Sequence, residues 1–149
     1  QTAKALSKYV TVKEMILERK LVEQNFGDWA GKNISQVWQN LKRNKSQHNF
    51  SFICPDVSPP YGERFLMQSE RISKWLEEIN FLKPQTGVII AHSGTIRGAL
   101  AYILGIDPDK AIGIEISNLS LTIVEVLAKE SNKDRGGRFR ILGVNNQVV

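Results

Sequence analysis

The pattern of apolar positions is clearest between Gly87 and Gly105. The continuous apolar run over residues 88–91 predicts a strand buried on both faces. After a short polar turn, apolar residues recur at the spacing of one helix face, and Gly105 ends the predicted helix. The apolar positions of that face are Ile96, Ala99, Leu100, Ile103 and Leu104. The segment is therefore predicted to fold as strand, turn and helix.

The same spacing predicts two further helices. One begins at Asn33, where Asn33 and Gln36 resemble a capping box. Another opens at Gly62, with Glu63 and Arg64 in its first turn. The apolar stripe of this second helix is formed by Ile72, Trp75, Leu76, Ile79 and Leu82.

The two ends of the chain carry less regular patterns. Residues 1–9 resemble the last turns of a helix that begins upstream, and residues 10–17 are a poorly defined strand candidate. Asp107 and Pro108 predict a short helix, with Asp as N-cap and Pro as first helical residue. Residues 120–127 and 138–144 predict two strands that form an antiparallel hairpin, whose edge could pair with a second copy.

The polar turn from His92 to Thr95 is the strongest candidate for chemistry. Ligands of open α/β sheets bind beyond the carboxyl ends of parallel strands, where a helix N-terminus offers free N–H groups. Gly94 allows close approach of the backbone, and His92 changes charge near neutral pH. These features predict an anion site, with phosphate as the natural ligand. An equally good interpretation is a histidine that only bonds a neighbouring loop, with Ser93 or Thr95 as an ordinary cap.

Two predicted loops bring in further candidate site residues, Glu23 and Glu63. Phe26 and Trp29 are predicted to anchor the first loop to the core, while Glu23 there is either a ligand or an exposed acid. The second, residues 46–61, ends in a proline-rich stretch of a length typical of functional lids. Glu63 follows it, so this carboxylate either complements a helix dipole or serves as a general acid.

Composition limits the possible classes. The 149 residues suffice for one domain, and hydrophobic residues at 42% with charged residues at 23% are ordinary for a globular protein. No apolar run has membrane-spanning length, so no membrane partner is expected. The single cysteine, Cys54, forms no internal disulfide and favours a reducing compartment, here the cytoplasm. It is interpreted as a small, half-buried hydrophobe, and no histidine or cysteine spacing predicts a metal site.

The net charge of +5 favours anionic partners. Basic residues cluster at 42–45 and at 129–140, without the interleaved aromatic residues that a base-stacking surface needs. We therefore expect a solvated basic face and no nucleic-acid partner.

Several motifs in order resemble the histidine phosphatase superfamily, the phosphoglycerate-mutase-like proteins. They are Gln1-Thr2-Ala3, the stretch Glu23 to Gly31 with Phe-Gly-Asp-Trp, Gly62-Glu63, Ile89 to Arg97 with His-Ser-Gly, and Asn118 with Ser120. The order of the Phe-Gly-Asp-Trp and His-Ser-Gly motifs is specific, whereas each alone is weak. The resemblance spans nearly the whole chain.

The resemblance implies a fold and a set of roles. The fold is α/β, a three-layer sandwich with a mostly parallel central sheet, which residues 1–149 would form as one N-terminally incomplete domain. His92 resembles the second active-site histidine, and Ser93, Gly94 and Asn118 resemble phosphate-binding positions. Glu63 resembles the acid and base of the reaction. Glu23 and Arg64 are candidates for the rim of the site.

One departure from the family pattern changes the picture. The Arg-His-Gly motif that carries the family's nucleophilic histidine does not occur in this sequence, and His48 has no such context. We expect that motif, and the strand before it, upstream of Gln1. Without them a sheet would be left with unpaired backbone groups, each costing about 1–3 kcal/mol. The alternatives are a strand supplied by a partner chain, or a remnant of the family that folds differently.

The resemblance therefore predicts a phosphatase that hydrolyses a small phosphomonoester through a phosphohistidine, without a cofactor. A phosphoglycerate mutase is the first alternative, ranked lower because the loop before Glu63 is short. A non-catalytic phosphate-binding module is the second alternative, and a homodimer is left open.

Overall fold

The computed structural model describes residues 2–41, 48–80, 83, 85–131 and 135–147. These ranges contain five α-helices and one two-stranded sheet. The helices are α1 (Thr2–Leu6), α2 (Ile34–Asn40), α3 (Phe65–Glu78), α4 (Ser93–Leu104) and α5 (Pro108–Ala111), and the strands are β1 (Leu121–Val126) and β2 (Phe139–Asn146). Short 3-10 turns lie at Arg19–Leu21, Gly27–Trp29 and Lys129–Ser131.

Three helix boundaries lie where the sequence predicts them. Asn33 begins α2 through a capping box with Gln36, since each side chain accepts a hydrogen bond from the backbone N–H of the other. The side chain of Asp107 caps α5, with Pro108 as its first residue. Gly105 ends α4 in the left-handed conformation, at φ 62°.

The start of α3 differs from the prediction. The helix begins at Phe65, with Arg64 as its N-cap, so placing Glu63 and Arg64 in the first turn was wrong. The reason is that the backbone before Phe65 is bonded to loops. The N–H of Gly62 donates to the carbonyl of Pro59 at 2.9 Å, and that of Glu63 donates to Asn25 at 2.8 Å.

The main core lies between α3 and α4, which pack along their length, and α5 packs against α4. Ile72 on α3 and Leu100 on α4 are almost completely buried, with 0% and 1% exposure. Leu76 is also buried, Trp75 and Ile79 are half-buried, and Leu82 lies outside the described residues. A second apolar cluster forms around Trp29, Val37 and Ile53, with Phe26 packed against it. Phe26 and Trp29 thus anchor their loop as predicted.

The predicted hairpin is confirmed. Strands β1 and β2 pair antiparallel, with Val126 opposite Phe139. The hairpin docks on the helices, because the ring of Phe139 meets Tyr102 of α4 edge-on at 5.9 Å. A guanidinium nitrogen of Arg138 also donates to the carbonyl of Ile79 at 2.8 Å.

Two segments depart from the predicted elements. Residues 88–91 form no strand, and Val88, Ile89 and Ile90 are 67%, 57% and 44% exposed. The physical reason is that the sheet in the described ranges consists of β1 and β2 alone, so no strand lies beside this segment to pair with it. Residues 10–17 likewise form neither strand nor helix and are exposed.

The fold class is thus borne out only as α/β. The predicted three-layer sandwich with a mostly parallel sheet is not present in the part of the chain that the structure describes. None of the helices in these ranges combines the length and the apolar character needed to cross a bilayer.

Candidate active site

The N-terminus of α4 presents His92 and free backbone groups. His92 is the N-cap, with an extended backbone (φ −102°, ψ 164°) and a side chain 68% exposed. The first intrahelical bond runs from Ile96 N–H to the carbonyl of His92 at 3.1 Å. Within the described residues, the N–H groups of Ser93, Gly94 and Thr95 therefore have no acceptor. Neither Ser93 nor Thr95 caps the helix, because Thr95 donates from Oγ1 towards the carbonyls of Leu21 and Val22.

Glu23 lies beside this helix end. Its Oε2 is 3.5 Å from Nδ1 of His92. Its Oε1 accepts hydrogen bonds from the N–H of Gln24 at 2.8 Å and from Nε2 of Gln68 at 3.0 Å. Two donors thus hold Oε1 of the carboxylate, and Oε2 faces Nδ1 of the imidazole. The other ring nitrogen, Nε2, takes no part in the contact with Glu23.

Gly94 leaves the space that this arrangement requires. A Cβ at position 94 would lie 2.8 Å from Oε1 of Glu23 and 3.0 Å from Oε1 of Gln68. Any side chain there would therefore displace one of these groups. The glycine of the His-Ser-Gly motif keeps the carboxylate close to the first turn of α4.

Glu63 is held by three donors. Oε1 of Glu63 accepts from the N–H of Asn25 at 3.0 Å and from Nη2 of Arg71 at 2.8 Å, and Oε2 accepts from Nε of Arg71 at 3.2 Å. The backbone carbonyl of Glu63 also accepts from Nε2 of Gln24 at 2.8 Å. With every contact donating to it, the side chain is arranged as an ionised carboxylate.

Arg71 connects Glu63 to the segment that carries Glu23. Besides the carboxylate, its guanidinium donates to the carbonyls of Lys20 at 2.6 Å, Val22 at 2.7 Å and Glu23 at 3.2 Å. The side chains of Arg71 and Glu63 are 22% and 17% exposed, so this is a largely enclosed ion pair. Residues of the segment 20–25 therefore contact both Glu63 and His92.

The loops around Glu63 fit together because of two glycines, Gly62, where a Cβ would lie 2.4 Å from the carbonyl oxygen of Asn25, and Gly27. Gly27 has φ +47°, and a Cβ on it would lie 2.0 Å from the carbonyl oxygen of Pro60. The N–H of Asp28 donates to that same oxygen at 3.0 Å. The Phe-Gly-Asp-Trp motif thus lets the loop before Glu63 cross the loop after Glu23 at backbone contact distance.

The structure brings some predicted site residues together and leaves others apart. His92, Ser93, Gly94, Glu23 and Glu63 form one group joined through residues 22–25. Arg64 is exposed, and its side chain makes no cap bond. Asn118 is also exposed, and in the described ranges it makes no hydrogen bond or ion pair with this group.

The second histidine belongs to another part of the molecule. Nε2 of His48 lies 3.7 Å from a carboxylate oxygen of Asp109, and its ring contacts Phe50. Among the described residues, no group of three or more histidine, cysteine or acidic side chains could hold a metal ion.

Sequence reasoning missed two members of the group, Gln68 and Arg71. Gln68 is 0% exposed and lies on the buried face of α3 with Phe65 and Ile72. Its Oε1 has no hydrogen-bond partner among the described residues. A glutamine at helical spacing between two apolar core positions was the available signal, because a buried amide needs polar partners. Arg71 gave no comparable signal, since arginine next to a core position is common on helix surfaces.

The comparison with known families decides the classification. The model for the histidine phosphatase superfamily, branch 1, matches residues 1–136. The chain belongs to the histidine phosphatase superfamily. The motifs that carry the resemblance all lie within the matched region.

Two relatives indicate the range of this superfamily. The chain is 22% identical over 120 residues to the "Putative phosphoserine phosphatase 2" of Hydrogenobacter thermophilus, covering 79% of this chain and 57% of the relative. It is 23% identical over 114 residues to the 2,3-bisphosphoglycerate-dependent phosphoglycerate mutase of Thermoplasma acidophilum, covering 76% and 52%. The chain thus spans about half the length of the curated relatives it matches.

Proposed function

We propose that the complete protein is a phosphatase that hydrolyses a small phosphomonoester through a phosphohistidine. The observation that carries the proposal is the continuous set of contacts from Glu63 through Arg71 and residues 22–25 to Glu23 and His92. This set adjoins the free N–H groups at the start of α4, which favour an anion.

The proposed hydrolysis has two half-reactions, and each gives the site residues a role. In the first, the phosphoryl group passes from the substrate oxygen to a histidine nitrogen, and the carboxyl of Glu63 gives a proton to the leaving oxygen. In the second, Glu63 takes a proton from water, which attacks phosphorus and releases the histidine. His92 and the N–H groups of Ser93 and Gly94 would stabilise the charge on the phosphoryl oxygens. Glu63 thus acts as the protonated acid in the first half-reaction and as the carboxylate base in the second.

The nucleophile is a separate requirement. The sequence holds two histidines, of which His92 is given the stabilising role and His48 pairs with Asp109 elsewhere. The proposed reaction therefore needs a histidine from outside these 149 residues, and the experiments use the complete protein. The proposed chemistry uses no metal and no cofactor.

The test is the turnover of p-nitrophenyl phosphate by the complete protein. We expect Glu63→Gln and His92→Ala to lower kcat by about 100-fold or more, as is typical for the loss of acid–base or oxyanion-stabilising groups. His48→Ala is the matched control and should retain the wild-type rate. Full activity of both site variants would overturn the assignment of roles.

The absence of Arg-His-Gly from these residues favours a second candidate, a phosphate-binding module without catalysis. Such a module would bind inorganic phosphate at His92 and Gly94 but would form no covalent intermediate. Rapid quenching of the complete protein with p-nitrophenyl phosphate separates the two candidates. An acid-labile phosphoryl adduct supports the phosphatase, and phosphate binding without an adduct supports the module.

A further inference from the structure

The guanidinium of Arg71 uses all three of its nitrogen atoms within the candidate site. Nε and Nη2 each donate to a different oxygen of the Glu63 carboxylate. This bidentate pair fixes both the distance between the two groups and the orientation of the carboxylate plane. Nη1 and Nη2 meanwhile contact the carbonyls of Lys20, Val22 and Glu23. By contrast, the ion pair of Lys74 with Glu70, one turn apart within α3, is exposed.

This arrangement couples two parts of the site that are distant in sequence. Without the guanidinium, the N–H of Asn25 would be the one donor to the Glu63 carboxylate that remains among the described residues, and the side chain could adopt other rotamers. The carbonyls of Val22 and Glu23 would lose a donor at the same time, which would release the segment that places Glu23 beside His92.

We propose that Arg71 is a positioning residue that orients the Glu63 carboxylate and the backbone of residues 20–23 for phosphoryl transfer in the site that His92 stabilises. The proposal rests on the phosphatase activity proposed above and adds a residue that acts through Glu63. Lysine cannot replace it, because an ammonium group offers one point of charge and cannot span two carboxylate oxygens and three carbonyls at once.

Steady-state turnover of p-nitrophenyl phosphate by the complete protein tests this role, with kcat and KM measured separately. Misplacement of a catalytic group by about 1 Å costs on the order of 100-fold in rate. We therefore expect Arg71→Gln to lower kcat by about 10- to 100-fold and to change KM by less than about threefold. Arg71→Lys, which is more certain to fold, should recover less than half of the loss. Lys74→Gln, on the same helix, is the control and should leave both constants unchanged.

A double-mutant cycle with Glu63→Gln shows whether Arg71 acts through Glu63. If it does, adding Arg71→Gln to Glu63→Gln lowers kcat by a clearly smaller factor than Arg71→Gln does alone, and the loss that remains is the part that acts through residues 20–23. Losses that multiply, or wild-type turnover in both Arg71 variants, would overturn the positioning role while leaving the phosphatase proposal intact. No turnover by the wild-type protein would instead overturn the phosphatase proposal, and the role of Arg71 would fall with it.

Discussion

Oε2 of Glu23 lies 3.5 Å from Nδ1 of His92, and the amide of the buried Gln68 donates to the other oxygen of the same carboxylate, Oε1, at 3.0 Å. Glu23 therefore contacts both the buried Gln68 of α3 and the exposed imidazole of His92. A carboxylate beside an expected phosphate site would repel the ligand if it were unpaired. Here the N–H of Gln24 and the Gln68 amide donate hydrogen bonds to Oε1, and Oε2 lies beside the histidine ring.

The first prediction concerns the stability that Glu23 contributes. Replacing Glu23 by alanine removes the acceptor of the Gln24 N–H and the nearest acceptor of the fully buried Gln68 amide, which keeps longer contacts to Val22 at 3.5 Å and Thr95 at 3.4 Å. We expect the free energy of unfolding to fall by about 1–3 kcal/mol, the value of two lost hydrogen bonds at about 0.5–1.5 kcal/mol each. Urea denaturation followed by tryptophan fluorescence measures it. Glu23→Gln keeps an oxygen in place and should cost less than about 1 kcal/mol; equal losses in the two variants would contradict this explanation.

Much of the helical structure could be predicted from sequence because its signals are local. Asn33, Gly105 and Asp107 act on their own first or last turn, so a cap or stop residue suffices to locate the boundary. The start of α3 was misplaced because it depends on contacts that are distant in sequence. The N–H of Glu63 donates to the carbonyl of Asn25. The apolar periodicity of residues 62–79 carries no information about this contact.

A second prediction follows from the crossing of loops at Gly27. Alanine there would meet the carbonyl of Pro60 at 2.0 Å and the backbone nitrogen of Gly62 at 2.6 Å, in addition to an unfavourable φ. Backbone cannot yield as a side chain can, so we expect Gly27→Ala to lower the free energy of unfolding by more than about 3 kcal/mol. It should also reduce turnover, since the loop of Glu63 must move. Thermal and urea unfolding measure the first effect.

Gly31 provides the control for this prediction. It also has a positive φ, +77°, but nothing lies within 4 Å of a Cβ placed there. Gly31→Ala should therefore show only the conformational cost, about 1 kcal/mol. If the two variants lose similar stability, the close backbone contact at Gly27 is not the reason for its glycine.

A third prediction concerns the packing of α3 on α4. A Cβ at Gly98 would lie 2.9 Å from Cδ1 of Ile72 and 3.3 Å from Cα of Ser69. Ile72 is fully buried, so the helices must separate slightly, and overpacking of this kind costs about 1–3 kcal/mol. We expect Gly98→Ala to lower the urea midpoint accordingly. Gly87→Ala, at an exposed position with open space around it, should leave the midpoint unchanged.

The candidate site was only partly accessible to sequence reasoning, for a related reason. His92 and Gly94 could be located because a polar turn before an apolar helix face is a local pattern. Arg71 and Gln68 could not be assigned roles, because their partners are carbonyls and a carboxylate of residues 20–23. The apolar run at 88–91 predicts a buried strand, but burial needs neighbouring strands, and within the described ranges none lies beside it.

The last prediction concerns pH and Cys54. Burial, followed by the negative charges of Asp56 and Asp109, raises the pKa of the Cys54 thiol. Because the folded pKa is raised, the neutral thiol stabilises the fold below about pH 8.5, and this contribution is lost as the pH rises through the folded pKa. Alkylation by iodoacetamide should therefore show a midpoint at higher pH in the native protein than in urea. Asp56→Asn should lower that midpoint, whereas Asp28→Asn, at an acid that does not contribute to the raised pKa, should not. Identical midpoints in the native and unfolded protein would mean that burial and the two aspartates leave the thiol unaffected.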